Sequence, residues 1–197
     1  MSKNFFLVLI IQTLLLLFGS VQVRALGMDY DLYQKFLDTF VKQEKRIGGF
    51  SLNVVDYKAI HTLEKTGNSL YTLVLQMLET VDSETLKTAE ENVAFWINVY
   101  NIGAIKMIVD HYPVDSIRSR KINWLKNPWK KKIITVSAKE YSLNEIEHEI
   151  LLKKLQKPMA HFAIVCASLS CPELSDKVYR PETVDDQIAF MARAFLE

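Results

Sequence analysis

The chain has 197 residues, a formal net charge of +1, 49% apolar and 24% charged residues, few glycines and prolines, and 2 cysteines. These figures exclude a disordered chain and a disulfide scaffold, and they supply no global field to attract nucleic acid. They fit a folded domain long enough to bury a core.

The first stretch stands apart from the fold. Lys3 gives a positive start, Phe5–Phe18 is an apolar run, and Val23 and Ala25 are small residues flanking a cut after Ala25. That is the layout of a secretory signal peptide over residues 1–25, so export to a bacterial periplasm or the extracellular space is expected. The run is short of the roughly 18–20 residues that cross a bilayer, which makes a retained membrane anchor the weaker alternative. Residues 26–197 then form one domain.

In chain order, "YDLYQKFLDTFVKQ" places Tyr33, Phe36, Leu37 and Phe40 on one stripe and predicts an amphipathic helix, broken at Gly48–Gly49. "VDYKAIHTLEK" predicts a shorter helix. "NSLYTLVLQMLETV" predicts another, with Asn68 as cap and Leu70, Leu73, Val74, Met77 and Leu78 facing inward. From Val93 to Val109 the sequence is apolar nearly all round, the pattern of a helix at the centre of a domain. Pro113 lies just past its end. At about 100° per residue, Glu91, Asn98 and Asn101 fall within one quadrant of this helix, and buried amides must find partners.

After Pro113 the character changes. Arg118–Lys132 carries seven cations, no acids and two tryptophans, Trp124 and Trp129. Peripheral contact with anionic envelope polymer or lipid headgroups is one reading of it; a solvated loop whose tryptophans pack on the domain is the plainer one. Ile133–Val136 is β-branched and predicts a strand. Ser142 and Glu145 form a capping box opening a helix with a Leu143, Ile146, Ile150, Leu151 stripe. Glu147 projects into that stripe, and His148 sits on its flank. "HFAIVC" predicts a buried strand, with His161, Ala163 and Val165 on one face and Phe162, Ile164 and Cys166 on the other. A closing helix capped by Thr183 carries Val184, Ile188, Met191, Ala192 and Phe195. The fold class is α+β: a helical N-terminal half around a buried central helix, with a small sheet and flanking helices in the C-terminal half.

Four segments, "AFWINVYN", "YSLNEIEHEIL", "HFAIVCASLSCPEL" and "VYRPETVDDQIAFMARAFL", resemble in order and spacing the family called domain of unknown function 547. The resemblance runs from about Val54 to the end. It implies an exported α+β domain more than it implies an activity. It also implies C-terminal truncation, since members continue past the last helix into a further strand. Leu152 and Met159 stand where the family often has arginine, so an anion-binding role for those arginines does not carry over.

The chemistry concentrates around His161–Leu174. A thiol attacks as thiolate and needs a base or a lowered pKa. Ser170 and Glu173 make a capping pattern, which would put Cys171 at a helix start, where the helix dipole favours thiolate. The candidate catalytic set is therefore Cys171 as nucleophile and His161 as base, with Glu147, Asn98 or Asn101 orienting the imidazole and His148 nearby. Three other readings stay open: a core histidine with a small buried cysteine, a Cys166–Cys171 disulfide, and a metal site drawing on His148, His161, Cys166 and Cys171. No cofactor signature is present. The functional expectation is a cysteine–histidine hydrolase or acyl transferase acting on a small molecule, peptide or polymer of the envelope; the alternative is a non-catalytic interaction module whose Cys/His/Glu cluster is structural.

Overall fold

A computed structural model describes residues 27–47, 50–67, 69–123, 127–166 and 171–196. The signal segment, the Gly48–Gly49 break, Asn68, Trp124 and Ser170 lie outside these residues.

The first helix, α1 (Tyr30–Phe40), is capped by Asp29, whose carboxylate accepts from Leu32 N–H, and it buries Tyr33, Phe36, Leu37 and Phe40 as the stripe predicts. It ends earlier than the periodicity suggests. The chain turns into an antiparallel hairpin, β1 (Val41–Ile47) and β2 (Phe50–Val55), which helical periodicity did not anticipate. Helix α2 (Tyr57–Glu64) follows, then α3 (Leu70–Thr80). Ser69, not Asn68, caps α3, accepting from Thr72 N–H. Tyr71, Val74 and Leu78 are buried on it, while Leu73 faces out at 41% exposure.

Helix α4 (Ala89–Val109) is the axis of the domain. Thr88 and Glu91 form a reciprocal capping box at its start, so Glu91 serves the helix end rather than a site with the asparagines. It is long and apolar enough to cross a membrane, yet it lies mostly buried inside the fold. Helices α2 and α5, strand β3 and a π-helical segment pack around it.

Strands β3 (Lys132–Val136) and β4 (Lys139–Ser142) form the expected small sheet in the second half. Their turn holds Ser137 and Ala138 at φ of 49° and 62°. The turn is clamped onto the end of α3: Ser137 N–H donates to Leu78 O, and its hydroxyl donates to Val81 O. The Ser142–Glu145 capping box forms as predicted and opens the π-helical segment Glu145–Lys154.

The predicted "HFAIVC" strand does not form. Pro158–Phe162 is a single 3-10 turn, and residues 163–166 are irregular. Residues 171–182 hold no helix, so Cys171 is not at a helix start. The closing helix α5 (Val184–Leu196) buries Val184, Ile188, Met191 and Ala192 but leaves Phe195 at 44% exposure.

Side-chain amides hold the irregular C-terminal segments in place of a sheet ladder. Asn101 donates to Ala163 O and accepts from Val165 N–H, both at 3.0 Å. Asn98 donates to Tyr179 O at 2.8 Å and accepts from its N–H at 3.1 Å. Gln34 takes Val178 N–H and Asp176 O, Asn53 takes Leu174 O, and Gln187 takes Arg180 N–H and Val178 O. Buried backbone groups must be paired, and an amide offers a donor and an acceptor in one plane, as a neighbouring strand would.

Candidate functional site

Two elements build the site. The π-helical segment aims Glu147 from its apolar stripe, and the 3-10 turn that follows presents His161 to it. His161 Nδ1 lies 3.0 Å from Glu147 Oε1. The histidine side chain is 63% exposed and the glutamate side chain only 13%. A carboxylate accepts only, so Nδ1 carries the proton and Nε2 is the basic nitrogen of the neutral ring. The ring is further placed by an edge contact with Phe162, which in turn meets Phe195.

The other carboxylate oxygen of Glu147 faces Tyr100 of α4, whose hydroxyl lies 3.5 Å from Oε2, a long hydrogen bond. Burial, with the neighbouring carboxylate second, pushes the Tyr100 hydroxyl well above its ordinary pKa, so it stays protonated and donates. Trp129, beside the same hydroxyl, partly offsets that rise. Glu147 is thus held between a tyrosine inside and an imidazole outside. Sequence reasoning missed Tyr100 and gave Trp129 no part in the site. The available signal was a tyrosine inside a helix apolar all round, since a buried phenol seeks a partner.

The remaining candidates fall elsewhere. Asn98 and Asn101 are fully engaged with backbone, as described, and neither meets the His161 ring. His148 is exposed and bonds back to Asn144 O. Cys171 is joined to Cys166 with sulfurs 2.00 Å apart, so it is not a standing thiolate. This corrects the nucleophile assignment; of the readings left open for the two cysteines, the disulfide is the one the structure holds. Among the described residues, no three histidine, cysteine or acidic side chains converge as metal ligands.

The profile of a family described as "Protein of unknown function, DUF547" matches residues 83–196, more than half of the chain. The chain belongs to this family. The match begins near the start of α4 rather than near Val54, and it contains every candidate residue named above as well as Tyr100 and Trp129. Comparison with curated proteins and with solved structures returned no match. The matched residues contain α4 and the segments its two asparagines and its tyrosine engage.

Proposed function

We propose that the protein is an exported acid–base catalyst of the cell envelope, with His161 moving the proton and Glu147 fixing the ring, and that it hydrolyses or transfers an acyl group. The observation that carries this reading is an exposed imidazole tethered through Nδ1 to a largely buried carboxylate. A histidine kept for packing would lie inside. Here the fold spends a buried acid on orienting a ring that packs on little, which is the Asp–His half of a catalytic triad in chemical terms.

In the proposed step, His161 Nε2 takes a proton from water or a substrate hydroxyl as that oxygen bonds to the acyl carbon. The bond from that carbon to the leaving group then breaks, and the imidazolium returns the proton to the leaving atom. Glu147 stabilises the imidazolium between the two transfers, and Tyr100 keeps Glu147 in place. Cys171 takes no part while bridged. The layout of residues 1–25 supports export, and so does an oxidised cysteine pair, since disulfides persist in oxidising compartments.

The test is turnover of a panel of activated esters and amides by the wild type, His161→Ala and Glu147→Gln. Loss of about 10²–10⁴-fold in kcat/KM in the variants is expected, with folding intact. Wild-type turnover that survives both changes refutes the reading. The bridge itself favours a second reading, a non-catalytic module in which the cluster is structural. That reading predicts no turnover by the wild type and lowered stability in His161→Ala. Export is checked by N-terminal sequencing of protein recovered from the periplasm of an expressing bacterium: a chain beginning after Ala25 supports it, and an uncleaved cytosolic chain refutes it.

A further inference from the structure

The basic segments on either side of residues 124–126 are pinned together. Ile117 and Ile122 anchor the first segment in the core, and Pro128 anchors the second. The Arg118 guanidinium lies over the Trp129 ring, 5.3 Å from its centre. Lys131 Nζ reaches across to Ile122 O at 3.3 Å and to His111 Nε2 at 2.9 Å. Arg118, Lys121 and Lys130, from these two segments, are exposed. No carboxylate occurs between Asp115 and Glu140, and Glu145 beyond them is paired with Lys132. The whole-chain charge of +1 conceals this local excess.

This surface adjoins the site. Trp129, whose face carries Arg118, neighbours Tyr100, and Tyr100 bonds Glu147. The cations therefore begin beside the tyrosine that bonds the carboxylate orienting His161.

We propose that this surface binds a flexible, phosphate-bearing polymer and presents it to His161, so that the substrate of the site is an anionic chain. The proposal rests on the acid–base reading for its second half; the binding half stands alone. A lipid surface fits less well, because membrane binding uses tryptophans free to sink between headgroups. Trp129 is half-buried against the core and covered by Arg118. An arginine already held against an indole has less rotamer freedom to lose on binding, which favours capture of a soluble chain. The cations also come from two joined segments instead of forming one planar fork. That suits tetrahedral phosphate, with oxygens in several directions, better than planar carboxylate.

The experiment uses the full chain and short-chain inorganic polyphosphate as probe, followed by calorimetry across a salt series and by NMR of the His161 ring. Expected are binding that weakens steadily with salt, a loss of about ten-fold or more in an Arg118→Ser, Lys130→Ser double variant, and a smaller loss in Arg118→Lys, which keeps the charge but not the stacked guanidinium. Bound polyphosphate also shifts the His161 ring resonances and raises its midpoint of protonation, and the double variant loses both effects. Four results each overturn the proposal: no polyphosphate binding, binding indifferent to the double variant, binding that leaves His161 unmoved, or stronger binding to polyglutamate or to phosphatidylglycerol vesicles. Failure of the acid–base reading alone shows differently, as ester and amide turnover unaffected by His161→Ala with polyphosphate binding intact.

Discussion

Replacing Asn101 by alanine removes one buried amide and leaves two backbone groups without partners, the carbonyl of Ala163 and the N–H of Val165. Neither can turn to water in place, since Ala163 is 0% and Val165 7% exposed. An unsatisfied buried group costs about 1–3 kcal/mol, so two predict a loss of roughly 3–4 kcal/mol, a large part of a domain's total of about 5–15. For a chain of this size that is a fall of roughly 10 °C in Tm. The assay is urea unfolding followed by tryptophan fluorescence, with calorimetry as a check on two-state behaviour. Because Asn101 holds the segment that leaves the His161 turn, His161 ring resonances should move in the folded variant. Asn98→Ala serves as the comparison. It frees the backbone groups of Tyr179 at similar cost, and it should leave the His161 resonances nearly unchanged. A loss below about 1 kcal/mol in Asn101→Ala would refute the claim that side-chain amides replace a sheet ladder here.

Four further outcomes are expected. A Cβ at Gly103 would meet Leu143 Cδ2 at 3.0 Å and Ile134 at 3.6 Å, so Gly103→Val, which adds two methyls to an already closed contact, should cost about 2–3 kcal/mol in urea unfolding despite the helix entropy it recovers. Ala138 sits at a φ of 62°, so Ala138→Gly should stabilise by about 0.5–1 kcal/mol in the same assay. The Cys166–Cys171 bridge closes a sequence separation of only 5, and chain entropy gives such a loop about 2 kcal/mol, so a double serine variant should lose no more than that. Glu145, held at about 2 instead of 4.5 chiefly by hydrogen bonds from Lys132 and then from Ser142 N–H, contributes stability that is fully present above about pH 4.5 and lost as the pH falls toward 2. The pair is solvent-exposed, so the loss should be about 1 kcal/mol, and Lys132→Ala should flatten that part of the stability–pH curve.

Local rules carried some of these features. The reciprocal bonds of Ser142 and Glu145 are set by residues three apart, and the all-apolar run from Val93 to Val109 has nowhere to lie but the centre. Glu147 was legible because an acid in an apolar stripe must either be paired or not be there. His161 was singled out as the base for Cys171, a thiol that the structure pairs with Cys166, and its bond to Glu147 was the plainer reading of it. The strand reading of "HFAIVC" failed for a physical reason. Alternation says that a segment is extended and buried, but not what pairs its backbone, and here the partner is Asn101, 62 and 64 residues away. Leu73 and Phe195 followed their stripes yet face out, since periodicity aligns a face without supplying a neighbour to cover it. The cysteines show the same division. Their spacing allowed a bridge, a ligand pair or a nucleophile, and only the path of the chain after Phe162 decided among them. Sequence by itself determined which residues are extreme in their surroundings: a buried helix, two amides inside it, one acid in a stripe, one acid-free basic stretch. Tertiary structure decided which of these meet, because hydrogen bonds and sulfur bonds form across a few ångströms of space regardless of how far apart their atoms lie along the chain.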